Sequence, residues 1–257
     1  MEAKKDKKRK KDEVPKRRII IAAVCVGSLC LLMLIGGLVY VTRRIYGSRP
    51  HIVVYKNEYP IGGIDVSSHN GVIDFRRVVA DSITFVYIKA SEGSDFRDSK
   101  FSVNCDSAAN AGLKVGAYHF FRKNGNGKLQ AANFIDAIAG RRLDLPLVID
   151  VEDWGNESAD NEAVVKRNLR DMVASLDSCG YRVMIYTNKD GYSSYIKDDF
   201  SHLDLWLCTF KHPRKVVGYN WKILQYSHWG VVDGINGDVD LNVFNGDSLQ
   251  WKAWLEQ

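Results

Sequence analysis

The sequence predicts an α/β fold: an irregular parallel β/α barrel of the TIM type, preceded by one transmembrane helix. Three observations predict it. Residues 19–41 form an apolar run without a charged residue. After residue 60, eight apolar or β-branched runs alternate with helical stretches. Acidic side chains recur at the ends of those runs, where barrels of this type keep their chemistry.

The first element is the apolar run and the tail before it. Residues 1–18 carry ten Lys or Arg and four acids, against 36 and 31 in the whole chain, which leaves 26 and 27 for the rest. The net charge of +5 therefore belongs to the tail, and the remainder offers no electrostatic grip on nucleic acid. The run is long enough to span a bilayer. It is longer than the roughly 7–15-residue core of a cleaved signal peptide, and no A-x-A-like site follows it. The basic excess before it puts the N-terminus in the cytoplasm. The expected organisation is a basic cytoplasmic tail (1–18), a transmembrane helix (19–41), a tether (42–60) and a barrel domain (61–257). The domain would lie outside the cytoplasmic membrane, periplasmic or extracellular. Its three cysteines, Cys105, Cys179 and Cys208, are odd in number and lack C-x-x-C spacing. They predict buried free thiols rather than a zinc site or a disulfide framework.

In the domain, strands are predicted at 62–66, 84–90, 114–121, 145–151, 182–187, 205–210, 222–226 and 239–244. Helices are predicted at 75–81, 100–111, 129–139, 162–178 and 191–196, with Gly112 and Gly180 as stops. The fourth helix is the clearest, with Asp160 as its expected N-cap. Val164, Val165, Leu169, Met172, Val173 and Leu176 recur in it at helical spacing. The later connections are too short for full helices, so the barrel should be irregular. An open doubly wound sheet is the alternative, but no G-x-G-x-x-G follows the first strand.

The strand ends carry Asp65, Glu92, Asp150, Glu152 and Asp240. Asp150 and Glu152 are the informative pair, because positions i and i+2 of a strand share a face. Two carboxyls on one inner face raise the pKa of at least one of them. A carboxyl kept protonated near neutral pH can serve as a general acid. Glycoside hydrolysis needs such an acid and a second negative group to support the positive sugar ring. Tyr118, Phe120, Tyr186, Trp206 and Tyr226 stand near the same strand ends and suit the apolar C–H faces of sugars. His119 alternates out of phase with Tyr118 and reads as a packing residue. Neither G-x-S-x-G nor a P-loop is present.

Gly63-Ile64-Asp65-Val66-Ser67, followed by Asn70-Gly71-Val72-Ile73-Asp74-Phe75, resembles the opening of glycoside hydrolase family 25, the N-acetylmuramidase type of lysozyme. The resemblance continues through Lys89-Ala90-Ser91-Glu92-Gly93, Gly116-Ala117-Tyr118-His119-Phe120-Phe121, Leu147-Val148-Ile149-Asp150-Val151-Glu152 and Ile185-Tyr186-Thr187-Asn188. It ends at Gly237-Asp238-Val239-Asp240-Leu241-Asn242. It covers about residues 61–245 in the family's order.

The resemblance implies a peptidoglycan hydrolase that cuts the β-1,4 bond from N-acetylmuramic acid to N-acetylglucosamine, without metal or cofactor. It implies Glu152 as general acid and later base. Asp150 would support the developing charge, directly or by orienting the substrate's N-acetyl group. Asp65 and Asp240 complete the acidic cluster. Substrate binding is assigned to Tyr118, Phe120, Tyr186, Trp206, Gln225 and Glu92, and the expected partners are glycan strands and the membrane, with no obligate protein partner. Leu224-Gln225-Tyr226 stands where many members have Trp-Gln-Tyr, and Cys208-Thr209-Phe210 where a small residue and a Tyr are common. The competing reading is a catalytically inactive peptidoglycan-binding envelope protein, whose mark would be a missing acid. A chitinase would carry a longer Asp-Gly-x-Asp-x-Asp-x-Glu strand.

Overall fold

The computed structural model describes residues 2–46, 52–153, 155–156 and 161–257, with the side chains of 19–42 in the first stretch. The chain divides into two units, residues 1–50 and 51–257. The described part of the first is one helix, α1 (Glu2–Tyr46). Within it Ile19–Thr42 has a mean hydropathy of 2.8 and buries none of its surface, so it is a candidate membrane span. The side chains of the basic tail and residues 47–51 of the expected tether lie outside the described residues, as does Asp160.

The second unit alternates strands and helices in the predicted order. It runs β1 (Gly62–Val66), α2 (Phe75–Ala80), β2 (Phe85–Glu92), β3 (Phe96–Arg97), α3 (Phe101–Ala111), β4 (Lys114–Phe120) and α4 (Gly127–Ile138). It continues with β5 (Leu147–Asp150), α5 (Glu162–Ser178), β6 (Val183–Asn188), α6 (Lys189–Gly191), β7 (Asp204–Cys208), β8 (Trp221–Gly230), β9 (Val239–Phe244) and α7 (Ser248–Leu255). Helix α5 has the predicted bounds, and Val165, Leu169, Met172 and Leu176 form its buried face. Its N-cap is Asn161, whose side chain accepts from the Ala163 amide at 2.8 Å.

Eight strands close a ring in the order β1-β2-β4-β5-β6-β7-β8-β9, and β9 returns to β1. The short β3 pairs only with β2. From β1 to β8 every pairing around the ring is parallel. The irregularity includes β9, which is antiparallel to both β8 and β1. The reason is the short connection, 231–238. A parallel return needs a crossover of about a dozen residues, whereas a reversal needs far fewer. Reversal puts the start of β9, with Asp240, at the end of the barrel where the other strands finish.

Alternation gives the strands two buried faces. Outward residues such as Ile64, Val86, Ile88, Val115, Ile149 and Ile185 meet the helices. Inward residues Phe85, Tyr87, Val148, Met184, Trp206, Ile223 and Phe244 fill the barrel. Two glycines make that filling possible: a Cβ on Gly63 would overlap the Phe85 ring, and one on Gly116 the Tyr87 ring. Helix α7, which the sequence reading did not anticipate, adds Trp251 and Trp254 to the interior cluster beside Phe85 and Phe244. Those strand positions lie at the N-terminal end of the parallel strands.

The domain also begins earlier than residue 61. Val54 and Tyr59 pack on the outer face of β7–β9 with Leu205, Leu207, Trp221, Leu224 and Val243, and Arg214 pairs with Glu58 at 3.0 Å. Only a 3-10 turn at Pro213–Lys215 lies between β7 and β8, so this stretch covers apolar surface that a helix covers elsewhere in the barrel.

Candidate active site

At the other end of the barrel the inward positions become acidic. Asp65 on β1 stands directly opposite Asp240 on β9 in the antiparallel register. Like charges in that relation repel. Asp150 ends β5 facing inward, Val151 turns out to the helix side, and Glu152 turns in again. The Val151 amide still donates to the Tyr186 carbonyl at 2.9 Å, so the strand's alternation outlasts its last paired residue.

The four carboxyls influence one another. Burial drives the Asp65 carboxyl well above the usual carboxylate range, and the Asp240 charge adds to this. Asp150 is raised the same way, by burial first, then by Glu152 and Asp65. Glu152 is pushed up to about 7: burial raises it, Asp240 and Asp153 raise it further, and His228 and Lys89 oppose. Of the four, Asp150 and Asp65 are the deepest, at 7% and 9% exposed. The Asp150 Oδ1 atom has no hydrogen-bond partner among the described residues. A buried acceptor of that kind calls for a donor from outside the protein.

Asp65 is held by amides. Its Oδ2 accepts from Gln225 Nε2 at 2.9 Å and from Asn242 Nδ2 at 2.8 Å. Each amide is fixed in turn. The Tyr186 hydroxyl donates to Gln225 Oε1 at 2.8 Å, and the Trp206 indole donates to Asn242 Oδ1 at 2.8 Å. Trp206 is only 2% exposed; its ring lies tilted against Tyr87 and edge-on to Tyr186, with centroids at 4.8 and 4.9 Å. Trp206, Tyr186 and Gln225, expected to bind substrate, thus form the hydrogen-bond network that holds Asp65. Tyr118 is half-buried beside Asp65 and Asp150, and burial with those charges raises its phenol.

Two irregular strands bring further groups to the mouth. A register shift in β2 between Lys89 and Ser91 points Lys89 and Glu92 the same way, and they pair at 2.6 Å. Arg122 also pairs with Glu92. Burial pushes the Glu92 carboxyl up, but Lys89 and Arg122 outweigh it and hold Glu92 low. Phe120 lies under both cations, 5.1 Å from Lys89 Nζ and 5.1 Å from the Arg122 guanidinium carbon. Glu92 is thus fully engaged within the protein.

Strand β8 is shifted twice between Gln225 and Gly230. The shifts turn His228 inward, and its Nδ1 lies 3.0 Å from Asp240 Oδ1. The sequence reading missed His228, because simple alternation from Gln225 points it away from the interior. His119, by contrast, packs as expected: it is fully buried between Ser91 and Gln130 on the outer face. Among the described residues no group of His, Cys, Asp or Glu is arranged to hold a metal ion.

The profile of glycosyl hydrolases family 25 matches residues 64–235, which include Asp65, Asp150 and Glu152. The autolytic lysozyme of Clostridium acetobutylicum is 34% identical over 183 residues, covering 71% of this chain and 55% of that protein. The chain thus spans about half of that relative's length. Lysozyme M1 of Streptomyces globisporus is 33% identical over 209 residues, 75% of this chain and 70% of that protein. Among solved structures, a family 25 glycosyl hydrolase from Bacillus anthracis superposes with a TM-score of 0.72 at 33% identity. That match covers 80% of this chain and 97% of the other.

Proposed function

The chain belongs to glycosyl hydrolases family 25, and on that premise we propose that it is a membrane-anchored muramidase. It cuts the β-1,4 bond between N-acetylmuramic acid and N-acetylglucosamine in peptidoglycan. The observation that carries the reading is Glu152, held near pKa 7 beside a buried Asp150 with a vacant acceptor. Relatives named as lysozymes support the same class of reaction.

In this mechanism protonated Glu152 gives its proton to the glycosidic oxygen as the bond from that oxygen to the anomeric carbon breaks. The positive charge that develops on the sugar lies close to Asp150. Asp150 supports that charge directly, or its Oδ1 accepts the acetamido N–H so that the acetamido oxygen closes on the anomeric carbon. Water then attacks that carbon, and ionised Glu152 takes its proton. A group with a pKa near 7 serves both steps at neutral pH. Asp65 and Asp240 position the substrate, and half-buried Tyr118 offers ring surface beside Asp65 and Asp150. The span Ile19–Thr42, with the basic tail before it, would hold the barrel outside the cytoplasmic membrane.

Digestion of purified peptidoglycan, with mass spectrometry of the new reducing ends, tests the assignment. Ends at N-acetylmuramic acid are expected. Ends at N-acetylglucosamine would move the bond, and wall binding without cleavage would favour a silent binding protein.

A further inference from the structure

We propose that His228 is a positioning residue for this reaction, holding Asp240 through Nδ1 and setting the charge that Glu152 experiences. The role rests on the glycosidase reading of the mouth.

The geometry is specific. Nδ1 meets Asp240 Oδ1 at 3.0 Å, and Nε2 lies 3.6 Å from the Cys208 sulfur. The ring stands edge-on to Phe210 at 4.7 Å, and Phe210 in turn packs on Trp229 at 5.4 Å. His228 is thus fixed on three sides while its side chain stays 39% exposed at the mouth. Two of these contacts come from Cys208 and Phe210, where the sequence departs from the common family pattern.

The charges around the ring decide its state. Asp240 faces it from β9, Asp65 from β1 and Glu152 from the end of β5. Burial alone would lower the imidazole, but the Asp240 hydrogen bond and these three negative charges outweigh it and raise it. The remaining neighbour, Cys208, stays a neutral thiol, since burial pushes it up to about 12. It therefore presents no competing charge and no nucleophile. The other cation acting on Glu152, Lys89, has its ammonium committed to Glu92. When protonated, His228 is accordingly the group that offsets Asp240 beside Glu152. Without it, the Asp240 and Asp153 charges act on Glu152 against Lys89 alone. Glu152 would then keep its proton to higher pH and serve poorly as the base of the second step.

The test compares the full chain with its His228→Gln variant in pH profiles of kcat/KM on purified peptidoglycan. Glutamine can still donate to Asp240 but carries no charge. The alkaline limb, set by Glu152 losing its proton, should move up by roughly 0.5–1 pH unit. At neutral pH kcat should fall on the order of tenfold while KM changes less. An active wild type whose limb does not move in His228→Gln overturns the role of His228 and leaves the glycosidase reading standing. A wild type inactive at every pH overturns both. NMR titration gives a readout independent of activity, the His228 signal being identified by its loss in His228→Gln. Its pKa should lie above about 6.5 and fall in Asp240→Asn. A His228 titrating at or below that value in the wild type overturns the proposal.

Discussion

The two ends of the barrel interior use the same strand positions for opposite purposes. At the N-terminal end Phe85, Phe244, Trp251 and Trp254 pack ring on ring, with centroids 5.0 to 5.4 Å apart. The Trp254 indole there is satisfied, donating to Asp204 at 2.7 Å. At the C-terminal end the same inward register carries Asp65, Asp150 and Tyr186, with Asp240 and Glu152 beside them. One end lowers the free energy of the fold by removing apolar surface from water. The other buries carboxyls against one another, which opposes folding and is retained where chemistry needs perturbed acids. The difference separates scaffold from site inside one continuous core, and substitutions at the two ends should fail in different ways.

The largest expected effect is at the acidic end. Glu152→Gln should lower kcat roughly a thousandfold or more while thermal unfolding stays where it was. Loss of activity accompanied by unfolding would merge the two ends and defeat the comparison. At the aromatic end Trp254→Ala should cost about 3–5 kcal/mol of stability in denaturant unfolding, because the cavity left beside Trp251 and Phe244 cannot collapse. A cost below about 1 kcal/mol would mean that α7 is not part of the core.

Asp65→Asn sharpens the contrast further. The folded pKa of Asp65 is raised above its unfolded value. Stability contributed through this group is therefore present below about pH 4 and is lost as pH rises through the folded pKa. Removing the carboxyl should raise stability at pH 7 by about 1 kcal/mol, roughly 2–4 °C in Tm, and lower kcat. The Asn oxygen can still accept from Gln225 and Asn242. A variant less stable than the wild type at pH 7 and no less so at pH 4 would contradict this. The smallest effect expected is that of Tyr186→Phe, which removes one donor to Gln225. It should cost about 1 kcal/mol and a few-fold in kcat. An unchanged kcat would show that Gln225 holds Asp65 without help.

Much of this was legible in the sequence, for identifiable reasons. The eight strands announce themselves because inward and outward positions are both buried, which demands near-continuous β-branched and aromatic runs. The Asp150–Glu152 pair was readable because strand alternation is rigid. What hid were departures from alternation. The shift after Lys89 and the two shifts in β8 change which side chains face inward, and nothing in the local residue types marks them. His228 was lost for that reason, and the Lys89–Glu92 pair with it. Helix α7 is short, and its buried face is only Trp251 and Trp254. Its capping box of Asp247 and Gln250 was nonetheless present in the sequence. The reversal of β9 could have been inferred from the eight residues between it and β8. Val54 and Tyr59, which cover β7–β9, follow no period at all.

The measurement that bears most directly on the central claim is the pH profile of kcat/KM for the wild-type chain on purified peptidoglycan, because it reports the acid in the free enzyme. With Glu152 as general acid at about 7, activity should fall as pH rises through that value. A rate that stays level to pH 9 would mean that the proton comes from elsewhere, and Glu152 would lose its role.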